Sequence, residues 1–192
     1  MIIVLCGKSN AGKGYVSNLF EKLDENTIHL DIDKIAHKIN EEDIVKKDLV
    51  NTFGENILTN GKIDRKKLWS IVFNDEDEMK KLEEITWKHM EEEIDNYILN
   101  NSDKNIILDY IMLHKTKYFN KDNLKILVDA PLSVRLKRAL IRDGITKDKF
   151  LERESKTATY KDSDFDYVIN NEDENKTRKK VLMIYEKSTL SR

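Results

Sequence analysis

The chain has 192 residues, 39% hydrophobic and 36% charged, with 34 basic against 36 acidic side chains and a net charge of −2. That suits one compact domain, with room for an inserted subdomain, and excludes a basic nucleic-acid coat. One cysteine excludes an internal disulfide or a multi-cysteine zinc site, and no apolar run reaches membrane-spanning length, so a reducing cytoplasm is expected, with no membrane and no nucleic-acid partner.

The first element is "IIVLC" (2–6), a short apolar run that predicts a buried strand. It leads into Gly7-Lys8-Ser9-Asn10-Ala11-Gly12-Lys13, which matches G-x-x-x-x-G-K, and then into a helical pattern. In such a loop the glycines let backbone N–H groups turn inward around phosphate oxygens. The helix adds its N-terminal dipole, and the lysine reaches the β- and γ-phosphates. The next position usually supplies a hydroxyl to Mg²⁺, but here it is Gly14, followed by Tyr15. The metal is therefore expected on phosphates, water and carboxylates, which Mg²⁺ tolerates because it keeps several waters.

The second strand is "TIHLD" (27–31), with Asp31 and Asp33 at and just beyond its end. Ligands of open parallel sheets sit beyond the carboxyl ends of the strands. Taken singly, either Asp reads as a helix cap; as a pair beside a phosphate loop, they read as functional. Residues 34–104 then show no clear strand before the next apolar run. "DIVKKDLVNTF", "DRKKLWSIVF" and "EDEMKKLEEITWKHMEEEIDNYIL" are helical in period, the last with a stripe of Met79, Leu82, Ile85, Met90, Ile94 and Tyr97. Asp64 and Asn74 stand where N-caps belong. This interval is expected to be a helical insertion that binds the acceptor, with Trp69 and Trp87 in its core.

"NIILD" (105–109) ends an apolar strand in Asp109, as a Walker B strand does, and "LKILVD" (124–129) and "DYVIN" (166–170) complete the set. Asp109 is a candidate to orient the acceptor or to bind Mg²⁺ through water. Between the last two strands Arg135, Arg138 and Arg142 share one helical stripe, placed to meet ATP phosphates, or else to form a solvated basic face. Arg142 stands beside Asp143-Gly144, where a lid over 138–160 would hinge. His29, His89 and His114 lack ligand spacing and are assigned no role. Strands alternating with helices imply an α/β fold, a five-stranded parallel sheet flanked by helices, as a single domain over 1–192.

"LDIDKIAH" resembles the D-x-D-x-x-x-H segment of dephospho-coenzyme A kinases. So does "FGENILTNGKIDRKKLWSIVFNDEDEMKKLEEI", with Phe53-Gly54, Gly61, Ile63-Asp64-Arg65, Leu68, Val72-Phe73 and Leu82-Glu83 in register. "VDAPLSVRLKRALIRDG" resembles the family's strand, helix and lid, and "FDYVINN" its closing strand. The resemblance covers nearly the whole chain in order. It implies a P-loop kinase fold of the nucleoside-monophosphate-kinase type and ATP-dependent phosphorylation of the ribose 3′-hydroxyl of dephospho-coenzyme A. Carried over residue by residue, it implies nucleotide binding by Gly7, Asn10, Ala11, Gly12, Lys13, Gly14, Tyr15, Arg138 and Asn171, the last near the adenine. It implies catalysis by Lys13, by Asp33 as base and by Arg142 from the lid. It places Asp31, Asp33, His37, Arg65 and Asp109 about the acceptor, with Asp31 and Asp109 toward Mg²⁺ through water. The family's Pro and Glu after the third strand are replaced within Ile111-Met112-Leu113-His114-Lys115, and its His-Pro by Trp87-Lys88.

Other readings are a kinase for another small acceptor such as a nucleoside monophosphate, or an impaired nucleotide-binding relative. A GTPase switch would need N-K-x-D, and Asn175-Lys176-Thr177-Arg178 ends in the wrong charge.

Overall fold

The computed structural model describes the chain except residues 40, 41, 74, 120, 121, 156, 158, 191 and 192 and the side chain of residue 37. It divides into two compact units, Met1–Asp31 with Asp103–Arg192, and Ile32–Ser102. The insertion expected over 34–104 thus begins directly after the second strand.

In the first unit β1 (Ile2–Cys6), β2 (Thr27–Asp31), β5 (Asn105–Asp109), β6 (Leu124–Asp129) and β7 (Tyr167–Asn170) form one parallel sheet in the order β2-β5-β1-β6-β7. The five apolar runs are the five strands, and β1 and β5, flanked on both sides, are the most fully buried, as interior parallel strands are. One face carries Ile3, Leu5, Ile107, Ile126, Val128 and Ile169 against Val16, Leu19 and Phe20 of α1 (Lys13–Leu23) and Val181 and Ile184 of α8 (Glu174–Leu190). The chain moves from β1 to one side for β2 and β5 and to the other for β6 and β7. The turn after β1 therefore opens where the strand order reverses, the usual ligand crevice of such sheets. α6 (Leu132–Arg142) and α7 (Lys147–Ser155) follow β6.

The second unit holds α2 (Ile32–Ile39), α3 (Asp43–Phe53), α4 (Arg65–Val72) and α5 (Glu76–Asn100) around Ile39, Val45, Leu49, Ile57, Leu68, Val72, Met90 and Ile94. Asp64 caps α4, accepting from the N–H groups of Lys66 and Lys67. The cap of α5 is Asp75, which accepts from Asp77 and Glu78; Asn74, the residue expected there, lies outside the described residues. The interval is not strand-free. β3 (Leu58–Thr59) and β4 (Lys62–Ile63) pair antiparallel around Asn60-Gly61, with Asn60 at φ 51. Buried His89 ties α5 to α3 through Asp48, Nε2 to Oδ2 at 2.8 Å. Among the described residues no helix is long and apolar enough to cross a membrane.

Candidate active site

The loop between β1 and α1 is pressed into shape by its neighbours. A Cβ on Gly7 would lie 2.2 Å from the Val128 carbonyl oxygen of β6, so backbone approaches backbone there. Gly12 has φ 97, and a Cβ on it would meet Asn171 Nδ2 at 2.1 Å. Only glycine satisfies both conditions. Asn171 is buried behind the loop. Its Nδ2 donates to the Ala11 carbonyl at 2.9 Å and its Oδ1 accepts from Thr177 Oγ1 at 3.1 Å. Arg138 donates to the carbonyls of Asn10 (3.3 Å), Ala11 (3.0 Å) and Asn171 (2.7 Å).

These two residues were expected to contact nucleotide. In the structure the Asn171 side chain bonds the loop, and Arg138 braces the loop from the carbonyl side. Tyr15, also expected at the nucleotide, bonds within the protein as well. Its N–H bonds the Gly12 carbonyl at 3.1 Å, and its hydroxyl accepts from Arg178 Nε at 3.2 Å. The carbonyls of Lys8 and Gly12 also accept, from the N–H groups of Ala11 and of Tyr15 and Val16. With carbonyls turned inward and bonded, the first N–H groups of α1, which have no acceptor inside their helix, dominate the field of the loop. That field suits an anion.

Lys13, the first residue of α1, lies on the face of the sheet that α1 covers. Its Nζ donates to the Gly7 carbonyl at 3.1 Å and stands 3.6 Å from Asp109 Oδ1. Asp109 is buried at the end of β5, and its Oδ2 lies 3.3 Å from His29 Nε2 of β2. The histidine contact has the spacing of an ion pair without hydrogen-bond alignment, since Nε2 is otherwise unpartnered. Asp31 is the direct register partner of Asp109 across β2 and β5. Outside its own turn of helix, no atom lies within 4 Å of where a Cβ on Gly14 would stand. His29 was given no role from sequence; alternation along β2 places it on the face of Asp31, and only the pairing with β5 reveals its neighbour.

The arginine stripe does not act as one surface. Arg135 is buried and holds Glu154 of α7 bidentately at 2.6 and 2.8 Å. Glu154 also accepts from Lys8 of the loop at 2.7 Å. Hydrogen bonding from Arg135 is the main cause that lowers the Glu154 carboxyl from 4.5 to about 2. Arg142 is largely exposed, and Asp143 holds it at 2.6 and 3.2 Å while accepting from Asn10 Nδ2 at 3.3 Å. The segment that lacks the expected Pro and Glu makes a 3₁₀ turn over Leu113–Lys115, and Tyr160 donates its hydroxyl to the Ile111 carbonyl at 2.5 Å. Cys6 fills its strand position, its thiol pushed up to about 12 by burial, and is not nucleophilic.

The helical unit has its own cavity of about 770 Å³. Asp33, Ala36, Asp43, Lys46, Gly61, Lys62, Ile63, Arg65, Leu68 and Trp69 are among its lining residues. Asp33 and Arg65 thus face one space, whereas the side chain of His37 lies outside the described residues. Trp69 was expected in the core; it is 53% exposed and lines the cavity. Leu68 and Val72 form the buried stripe of α4, and one residue turns a helix by about 100°, which carries Trp69 off that stripe.

A sequence model of one family, described as dephospho-CoA kinase, matches residues 1–177. The dephospho-CoA kinase of Aquifex aeolicus is 36% identical over 194 residues, covering 97% of both chains. Among solved structures, TT1252 from Thermus thermophilus aligns with a TM-score of 0.82 at 22% identity, covering 98% of this chain and 97% of that one. The dephospho-CoA kinase from Campylobacter jejuni aligns with a TM-score of 0.55 at 22% identity, covering 97% and 96%. The two structural likenesses speak for the fold.

Proposed function

The chain belongs to the dephospho-CoA kinase family, and on that premise we propose a role for each of its site residues. The reaction is the ATP-dependent phosphorylation of dephospho-coenzyme A to coenzyme A, by a phosphotransferase with an alcohol acceptor. The observation that carries the assignment of roles is the position of Lys13, held between the Gly7 carbonyl and Asp109 at the mouth of a loop whose carbonyls are bonded away.

ATP binds with its β- and γ-phosphates on the N–H groups of Gly12, Lys13 and Gly14. Lys13 shifts from the Gly7 carbonyl toward the β–γ bridge as charge accumulates there. Asp33, which lines the acceptor cavity, takes the proton of the ribose 3′-hydroxyl. The new O–P bond forms as the bond from the γ-phosphorus to the β–γ bridging oxygen breaks, and ADP leaves. Arg142 exchanges Asp143 for the transferring phosphoryl group, within a lid over residues 138–160. Arg65 holds the acceptor from α4, and His37 and Asp31 assist there.

The donor set suits magnesium. Asp31 and Asp109 are hard oxygen donors paired in register, and position 14 leaves open space where most such loops carry a hydroxyl. Among the described residues no cluster of three or more His, Cys, Asp or Glu stands ready as a full cage, which favours attachment through water and phosphates. When bound, Mg²⁺ neutralises charge on the phosphates. The reading is tested by ADP release with dephospho-coenzyme A, adenosine and the common nucleoside monophosphates. Turnover is expected with the first alone. Turnover with a monophosphate and none with dephospho-coenzyme A would move the protein to another acceptor.

A further inference from the structure

The cavity of the helical unit contains more recognition chemistry than the acceptor hydroxyl needs. Trp69 is 53% exposed although it borders a cavity of about 770 Å³, large enough for a nucleotide. It stands one helical turn after Arg65, so the two share a face of α4. Lys46 and Lys62 line the same cavity. An aromatic face beside three cations is the equipment for a flat base carrying a short phosphate chain. A pantetheine arm would need none of it, and a purely apolar ligand would not call for the cations.

We propose that Trp69 is the stacking platform for the purine of the acceptor, and that Lys46 and Lys62 join Arg65 in receiving its diphosphate. The inference rests on the acceptor being dephospho-coenzyme A. It assigns recognition to the adenosine-diphosphate half of that molecule, with the ribose hydroxyl presented at Asp33, which borders the same space. Leu68 and Val72 are buried on the neighbouring face of α4, so the helix is anchored independently of the tryptophan. Trp69 also packs against Phe73 at a tilt, with ring centroids 5.6 Å apart and planes 47° apart, a contact that restricts the indole before a base arrives.

The test has two arms. In steady-state kinetics Trp69→Ala should raise KM for dephospho-coenzyme A by roughly ten- to a hundredfold, the range of one lost base–aromatic stack. The KM for ATP and kcat at saturation should move less than about threefold, and Trp69→Phe should recover most of the loss. In fluorescence, Trp87→Phe leaves Trp69 as the sole tryptophan of the chain. With a non-hydrolysable ATP analogue filling the donor loop, dephospho-coenzyme A should quench its emission, and phosphopantetheine, which lacks the base, should not. An unchanged KM in Trp69→Ala, or emission unmoved at saturating acceptor, overturns the proposal. Equal quenching by phosphopantetheine overturns it as well, because it would put the other half of the molecule on the indole. A wild-type protein that phosphorylates another acceptor and never dephospho-coenzyme A brings down the functional reading itself, a result distinct from an active dephospho-coenzyme A kinase indifferent to position 69.

Discussion

Around the phosphate loop the side chains of Lys8, Lys13, Arg138 and Asn171 are hydrogen-bonded within the protein, whereas around the cavity of the helical unit Arg65, Lys62 and Trp69 are exposed. The loop is shaped by the side chains of buried Asn171 and half-buried Arg138, both hydrogen-bonded to it, so its geometry exists before a ligand binds. The cavity has a buried floor in Leu68 and a solvated rim. Preorganisation belongs where charge develops and a small misplacement costs rate. On the proposed reading, a rim of exposed side chains gives affinity and selection among acceptors at little cost to the fold. Substitutions near the loop should therefore change both rate and stability, and those around the cavity should change function alone.

The largest expected effect is at Lys13. Lys13→Ala should lower kcat by on the order of 10³ or more, because the charge that follows the β–γ bridge is lost. It also leaves Asp109 with His29 as the remaining one of these two close neighbours. Circular dichroism should show the fold retained. Activity within a few-fold of wild type would remove the loop from the mechanism.

Asp33→Asn comes next and separates the two regions most cleanly. Loss of a general base costs on the order of 10²–10⁴ in rate. Asp33 is exposed on the first turn of α2, so the melting temperature should stay where it was. The measurement is kcat together with KM for ATP, which should change little. A silent Asp33→Asn with a crippled Asp31→Asn would exchange the roles of the two carboxylates.

Glu154→Gln should show the opposite pattern, a stability effect larger than the rate effect. An amide beside the buried Arg135 guanidinium leaves the cation without its counter-charge, at a cost of about 2–3 kcal/mol. The wild-type carboxyl titrates near 2 when folded and near 4.5 when free. Its contribution is therefore complete above about pH 4.5 and is lost as the pH falls toward 2. Denaturant midpoints measured from pH 7 down to 2.5 should converge for wild type and Glu154→Gln. Parallel curves would mean that the Arg135 pair contributes nothing through charge.

The contrast between the regions also governs what the sequence reveals. A strand, two spaced glycines and a lysine are local features, and they read correctly as a phosphate loop because the physics there is local. Asn171 and Arg138 act on the loop across 160 and 127 residues, so the sequence gives their chemistry but not their target. His29 meets Asp109 only through the β2–β5 pairing. Strands of two residues carry no period, which hides β3 and β4, although Asn60-Gly61 is a strong hairpin signal. Trp69 misleads because tryptophan is usually largely buried, and here it borders a cavity rather than the core. The family was legible through the resemblance in Phe53–Phe73, and the departures after Asp109 fall in a segment that Tyr160 braces.

The smallest expected effect is at Gly14, and it tests whether the packed loop leaves any room for change. No neighbouring atom lies within 4 Å of a Cβ built there, in contrast to Gly7 and Gly12, whose sites are closed at 2.2 and 2.1 Å. Gly14 is the second residue of α1, where glycine is a poor helix former, so Gly14→Ser should gain a few tenths of a kcal/mol. A hydroxyl at this position is what most such loops offer to Mg²⁺, and it would replace one metal-bound water without crowding the backbone. Turnover of Gly14→Ser should stay within about threefold of wild type, with half-maximal activity reached at equal or lower Mg²⁺. The readouts are the Mg²⁺ dependence of ADP release and the melting temperature without nucleotide. If the variant melts normally but loses activity, the open space at position 14 is space the donor's phosphates need. The metal would then be held without help from the loop. If it melts early, the loop backbone is strained in a way the absence of neighbours around position 14 does not reveal, and the boundary between the packed and open parts of the site moves one residue into α1.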